Sequence, residues 1–320
     1  MLARIPPQKL PVLTILSITG PIFMLIAIGF AAVRHGLLSR AEMRPLGVFV
    51  IHIALPALFF RSMSERSLAD VVGGHLMLVY VLGSLLAAGL GLAASCLLRG
   101  RSLQTGAVQA LGMATSNSAF IGYPIALQLF GPSAASALAV FALIESMVMM
   151  PLTLTLAEAA GGQGGHWTRV LGEALRRLSR NPFVLAIAGG AAWSAIGIPM
   201  PLPVGKMLDM LAAASAPVAL FCIGGTLAGL NMRGMLGDIS FIVTGKLFLH
   251  PLCMYLVLLA LPAADHQVGT AAILNAAMPM FSVYPLLSQK FGQEGVSAAA
   301  LVGATTLSFF TISALLWVLH

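Results

Sequence analysis

Residues 114–131 read ATSNSAFIGYPIALQLFG, and the reading of this stretch decides the fold. It begins as a membrane span and then breaks off: Asn117, Gly122 and Pro124 fall inside an apolar run, where each of them weakens a continuous helix. Moving 161 positions along the chain, without a gap, gives residues 275–292, NAAMPMFSVYPLLSQKFG. Phe120, Tyr123, Pro124, Gln128, Phe130 and Gly131 recur there as Phe281, Tyr284, Pro285, Gln289, Phe291 and Gly292. Two interrupted hydrophobic segments in corresponding positions of two halves point to the binding site of a secondary transporter.

Outward from that pair, the same offset of 161 matches Pro21 with Pro182, Gly29 with Gly190, Gly36 with Gly197 and Pro56 with Pro217. The apolar runs place ten spans at about 11–33, 45–62, 72–98, 104–128, 132–157, 182–200, 206–229, 238–261, 267–288 and 295–319, five to each half. A unit that crosses an odd number of times is followed by a copy entering from the opposite face, so the repeats are inverted. The expected fold is an all-α polytopic membrane protein. It has ten transmembrane helices in two inverted five-helix repeats (1–160 and 182–320), a cytoplasmic linker at 161–181, and crossed broken helices as spans 4 and 9.

Composition agrees with this class. Of 320 residues, 59% are hydrophobic and 8% charged, with a mean hydropathy of +0.97; soluble domains carry about 25% charge. The net charge of +7 lies in short loops between apolar runs, which speaks for membrane orientation and against a nucleic-acid partner. The first, third, fifth, seventh and ninth loops hold eleven Lys and Arg, the tails and other loops five. The positive-inside rule then puts the odd loops in the cytoplasm and both termini outside. Within the linker, AAGGQGGHW is flexible and TRVLGEALRRLSRN reads as a basic amphipathic helix lying on anionic lipid. Trp167, Trp193 and Trp317 fall near span ends. The N-terminal run reads as a retained first helix, without a small-residue cleavage site.

A break inside a span survives only where its bare N–H and C=O groups are buried in protein or line a wet cavity. The N-termini of half-helices attract anions. Ser116, Asn117 and Ser118 add side-chain polar groups at the first break, and Asn275, Ser282 and Tyr284 at the second; with Tyr123 and Pro279 these form the expected substrate site. Gly122, Pro124, Pro279 and Pro285 are the expected helix-breaking residues. Ionisable groups within spans are functional by default. Glu145 stands mid-span, Lys246 and His250 one turn apart on the eighth span, and His52 four residues before Pro56. Glu145 could couple a proton to transport with Lys246 or His250 as counter-charge, or simply form a static ion pair. Met147, Met149 and Met150 read as core packing and Cys96, Cys222 and Cys253 as reduced thiols. No metal, cofactor or catalytic motif is expected.

TSNSAFIGYPIALQLFG, PVALFCIGGTLAGL, KLFLHPL, NAAMPMFSVYPLL and IALPALFF together resemble the auxin efflux carrier family over nearly the whole chain. The resemblance implies a ten-helix inverted repeat similar to the fold of bile-acid sodium symporters. Spans 1, 2, 6 and 7 would form a scaffold panel, and spans 3–5 and 8–10 a mobile core that carries substrate in an elevator movement. In PIN-type plant carriers a Pro-Asn-Thr crossover binds a carboxylate; Asn117 matches its asparagine, Ser116 and Ser118 replace the other two, and Pro279 matches the proline of the second crossover. The implied activity is secondary transport of a small mono- or dicarboxylate across a bacterial inner membrane, driven by protons or by the substrate gradient. Sodium coupling, an anion channel, a membrane-embedded enzyme and a homodimeric assembly remain open alternatives.

Overall fold

The computed structural model describes residues 12–64, 74–131, 134–161, 182–228, 235–262 and 266–319. Residues 162–181, with the expected amphipathic helix and Trp167, lie outside them. Every helix, turn and connection that follows belongs to the described residues. The regular elements are helices: α1 (Val12–Arg34), α2 (40–64), α3 (Gly74–Leu98), α4 (Leu103–Ala114), α5 (118–130), α6 (134–160), α7 (Pro182–Ile196), α8 (Leu202–Leu227), α9 (Leu236–Ala260), α10 (His266–Ala276), α11 (Tyr284–Gln289) and α12 (Glu294–Leu319). Five stretches are long and apolar enough to cross a membrane: Arg40–Arg61, Gly74–Leu98, Leu202–Leu227, Leu236–Ala260 and Glu294–Val318. Shorter apolar pieces are Gly20–Arg34 and Val184–Ile196. The runs read as spans 4 and 9 are each two helices with a gap between them, α4 with α5 and α10 with α11. The run read as 182–200 stops at Ile196, because Gly197 turns left-handed (φ 72°) and Pro199 and Pro201 follow; α8 then starts at Leu202 with Pro203 in its first turn.

Prolines shape the helices in a way that hydrophobicity does not show. Proline cannot donate to the carbonyl four residues back, and its ring collides with that carbonyl; one extra residue in the turn relieves both. Wide π turns accordingly stand just before four prolines: Val50–Ala54 before Pro56, Ser118–Gly122 before Pro124, Glu145–Met149 before Pro151 and Gly245–Leu249 before Pro251. Glu145 and Lys246 both lie in such turns, so each points one residue-step away from where a regular helix would aim it.

The helices pack in two groups. In one, α1 lies along α8 and α7 along α2, with α2 also against α8. Glycines set both close approaches. A Cβ on Gly29 would stand 2.0 Å from the Phe221 carbonyl oxygen, and one on Gly190 2.5 Å from that of Phe60. Glycine at these positions lets the backbones touch, as is common between membrane helices. The two contacts are related by the 161-residue offset, 29 to 190 and 60 to 221. Gly36 and Gly197, and Gly131 and Gly292, also share left-handed φ values of 65–76°. In the other group α3 packs on α4 and α9, α4 on α6, α9 on α10, and α12 on α9 and α11.

Ion pairs follow the same division. Arg61 Nε meets Asp209 Oδ1 at 2.7 Å between α2 and α8. Asp238 at the start of α9 accepts from Arg99 (3.0 Å) and Arg101 (2.8 Å) at the end of α3, and Lys290 meets Glu158 at 2.8 Å.

Candidate functional site

The first break falls at Thr115–Asn117, between α4 and the π turn that opens α5. Gly122 and Pro124 come after it, at the step from π to α geometry inside α5. The second break spans 277–283, with Pro279 inside it and Pro285 in the first turn of α11. The breaks touch: the Asn117 N–H donates to the Pro279 carbonyl at 2.7 Å, and Asn117 Nδ2 donates to Ser282 Oγ at 2.9 Å.

An interrupted helix must find partners for its freed backbone groups, and here the partners are specific. Thr115 Oγ1 donates to the Leu111 carbonyl, one of those freed at the end of α4 (2.6 Å), while Tyr284 O–H adds a second donor to the Val108 carbonyl inside α4 (3.1 Å). Asn117 caps the second half-helix: its Oδ1 accepts from the Phe120 N–H at 3.3 Å, and its carbonyl accepts from the N–H groups of Ile121 and Gly122. The first N–H groups of a helix have no intrahelical acceptor, and Ser118 and Ala119, which begin α5, line a cavity.

That cavity, of about 280 Å³, opens where the two packing groups meet. Ile51, His52 and Leu55 of α2 and Pro182 of α7 form one wall; residues 115–120, Glu145 and Ser146 of α6, and Phe281, Ser282 and Val283 form the other. Its volume lies near the lower end of ligand pockets, which suits a small solute.

Behind the cavity runs a buried polar network. Glu145 Oε1 accepts from Tyr80 O–H (2.7 Å), the Ser116 N–H (3.0 Å) and Ser118 Oγ (3.1 Å), so every partner of the carboxylate is a donor. The Lys246 ammonium donates to Ser116 Oγ (2.7 Å) and the Ala276 carbonyl (2.9 Å) and contacts His250 Nδ1 at 2.7 Å. His250 Nε2 lies 3.1 Å from Ser84 Oγ, and Asn275 Nδ2 donates to the Tyr80 oxygen at 2.7 Å. Glu145 and Lys246 therefore form no direct ion pair. Ser116 stands between them, its N–H on the anion and its hydroxyl on the cation.

Of the residues singled out in the sequence, Ser116, Asn117, Ser118, Ser282, Glu145 and His52 line the cavity. His52 is exposed, with its ring Nδ1 3.2 Å from the Val48 carbonyl. Asn275, Lys246 and His250 are buried in the network behind. Tyr123 and Tyr284 do not line this cavity. Tyr123 packs among α2, α6 and α7, and the Tyr284 ring fills the space above Gly112, where a Cβ would approach it to 2.5 Å. Tyr80 and Ser84 were missed. Their spacing of four residues on one face of α3 was the available signal.

A helical membrane bundle whose interrupted helices meet at a small, largely apolar cavity with polar groups at the breaks has the architecture of a secondary transporter. The pattern of the membrane transport protein family matches residues 15–318, and the chain belongs to that family. It is 31% identical over 309 residues to a Rhizobium meliloti (strain 1021) protein named as a proposed malonate transporter, covering 95% of this chain and 96% of that one. It is 25% identical over 305 residues to the uncharacterized transporter YfdV of Escherichia coli (strain K12), covering 93% and 95%. An uncharacterized transporter of Methanothermobacter thermautotrophicus is 25% identical over 241 residues, 75% of each chain. These relatives agree with the transporter family read from the crossover motifs.

Proposed function

We propose that the chain is a secondary carrier of a small organic anion, a mono- or dicarboxylate, and that the cavity at the helix crossing is its substrate site. The observation that carries this reading is the contact between the two breaks, which sets the N-terminus of α5, Asn117 and Ser282 around one small cavity. Half-helix N-termini face anionic substrate groups in transporters built this way. The Lys246 ammonium, reached through Ser116, adds positive charge on the same side. The name of the Rhizobium meliloti relative makes malonate the first substrate to test.

The mechanism proposed is alternating access of the elevator kind in a ten-helix inverted repeat, as the likeness to PIN-type carriers and bile-acid symporters implies. Residues 1–160 form the first repeat, 161–181 the linker and 182–320 the second. Spans 1, 2, 6 and 7 are the scaffold and spans 3–5 and 8–10 the mobile core. The reciprocal contacts Gly29–Phe221 and Gly190–Phe60 support a pseudo-two-fold relation. The ion pairs Arg61–Asp209, Asp238 with Arg99 and Arg101, and Lys290–Glu158 each join helices within one packing group, which is compatible with sliding of one body past the other. Glu145 is the proposed proton carrier, with Tyr80 and Ser118 as its hydrogen-bonding partners.

Uptake of labelled malonate by proteoliposomes tests the reading. The expected result is saturable uptake that a proton gradient speeds and unlabelled mono- or dicarboxylates compete away. Flux that does not saturate at rates far above those of carriers indicates a channel. A panel of mono- and dicarboxylates that neither enters nor competes removes the anion-carrier reading.

A further inference from the structure

Lys246 raises a question that the substrate site does not answer. Its ammonium is fully buried, yet it does not line the cavity and forms no direct ion pair. Its ligands are two oxygens and one nitrogen at 2.7–2.9 Å: Ser116 Oγ from the first break, the Ala276 carbonyl that ends α10 at the second break, and His250 Nδ1 from its own helix. An ammonium offers three donors and no acceptor, so all three are used. His250 Nδ1 must accept, which leaves its Nε2 protonated and donating to Ser84 Oγ.

The position matters as much as the ligands. The C-terminus of a helix carries partial negative charge and bare carbonyls. α4 ends at Ala114 and α10 at Ala276, so two half-helix C-termini converge beside Lys246. In carriers with broken helices such carbonyl ends are where a coupling cation is coordinated, while the N-terminal ends take the anion. Here a side chain of the protein fills that place.

We propose that the Lys246 ammonium is a built-in cation standing where a mobile monovalent cation would otherwise bind, so that transport needs no sodium. Emptying the position turns it into a site for a small monovalent cation of ammonium size, with Ser116 Oγ, the Ala276 carbonyl and His250 Nδ1 as ligands. The consequence for transport rests on the reading of the adjoining cavity as the substrate site; the cation site itself does not.

Thermal unfolding of the purified full-length protein tests this, in choline chloride and with sodium, potassium, ammonium or methylammonium chloride substituted at constant ionic strength. The wild-type midpoint is expected to be the same in every salt, and malonate uptake the same in sodium as in choline. Lys246→Ala is expected to melt lower in choline and to recover about 2 °C with ammonium or methylammonium at roughly tenfold excess over the dissociation constant. Lys246→Arg, which keeps the charge, should show no cation response. Wild-type stability or uptake that depends on sodium overturns the proposal, and so does a folded Lys246→Ala that ignores every cation. If the alanine variant does not fold, Lys246→Met decides, since it fills the volume without the charge. Stability equal to wild type overturns the proposal, and a loss that Lys246→Arg does not share supports it. The melting readout uses no substrate, so its failure and a failure of malonate uptake are distinguishable.

Discussion

Glu145→Gln is expected to lower the stability of the protein by about 3–5 kcal/mol, although the substitution keeps the shape of the side chain. The amide oxygen can take the place of Oε1 and still accept from Tyr80, the Ser116 N–H and Ser118. The amide nitrogen then falls near Ser118 Oγ, which accepts as readily as it donates. The hydrogen bonds survive and only the charge is lost. The buried Lys246 ammonium is left without the anion that balances it through Ser116. Removing one partner of a buried charge pair costs about 3–5 kcal/mol, whereas removing both is often near neutral. The double variant Glu145→Gln/Lys246→Met should therefore be more stable than the sum of the single losses by at least about 1 kcal/mol. Thermal or denaturant unfolding in detergent measures all three. Additive losses would mean that the two charges do not sense one another. Uptake by Glu145→Gln should also lose its pH dependence; a profile unchanged from wild type removes Glu145 from coupling.

Asn117→Asp is the second variant with a large expected effect, this time on transport. Aspartate keeps the oxygen that caps Phe120 and leaves the backbone bond from residue 117 to the Pro279 carbonyl untouched. The Ser282 hydroxyl can rotate to donate where it now accepts. What changes is the charge of the cavity wall, which already holds the Glu145 carboxylate and gains a second one beside the N-terminus of α5. Placing like charges together costs several kcal/mol, and each 1.4 kcal/mol is a factor of ten. Malonate uptake is therefore expected to fall at least about 100-fold; because residue 117 is buried, the added charge is also expected to lower the melting midpoint, so uptake is compared per amount of folded protein. Retained or increased uptake would show that the cavity does not hold an anion.

The sequence made the two interruptions legible, because a proline or asparagine inside an apolar run contradicts a plain span, and because the contradiction recurs 161 residues later. It also flagged Glu145, Lys246 and His250, since charge is conspicuous in a chain with so little of it. Three features were not legible. The first interruption falls beside Ser116–Ser118 as expected, but Gly122 and Pro124 do not break the helix: Pro124 follows a widened π turn, and hydrophobicity does not show that. Tyr80 reads as one more large residue in an apolar helix, and only its single oxygen joins Glu145 to Asn275. Glu145 and Lys246 meet through Ser116 because π turns rotate both helices locally, and spacing within one helix carries no information about the register between two. Tyr284, expected at the substrate site from its place beside the second break, packs its ring above Gly112 and donates to the Val108 carbonyl of α4.

Site-directed labelling examines the place where the two interruptions touch and a small anion is proposed to lodge. Ser282→Cys puts a thiol on the cavity wall in a background with Cys96, Cys222 and Cys253 replaced. Leu202→Cys, exposed at the start of α8, serves as control. Malonate at concentrations that saturate uptake is predicted to slow modification of Ser282→Cys by a methanethiosulfonate reagent at least about tenfold, while leaving the Leu202→Cys rate unchanged. Equal labelling of Ser282→Cys with and without malonate, in a protein that transports it, would contradict the claim.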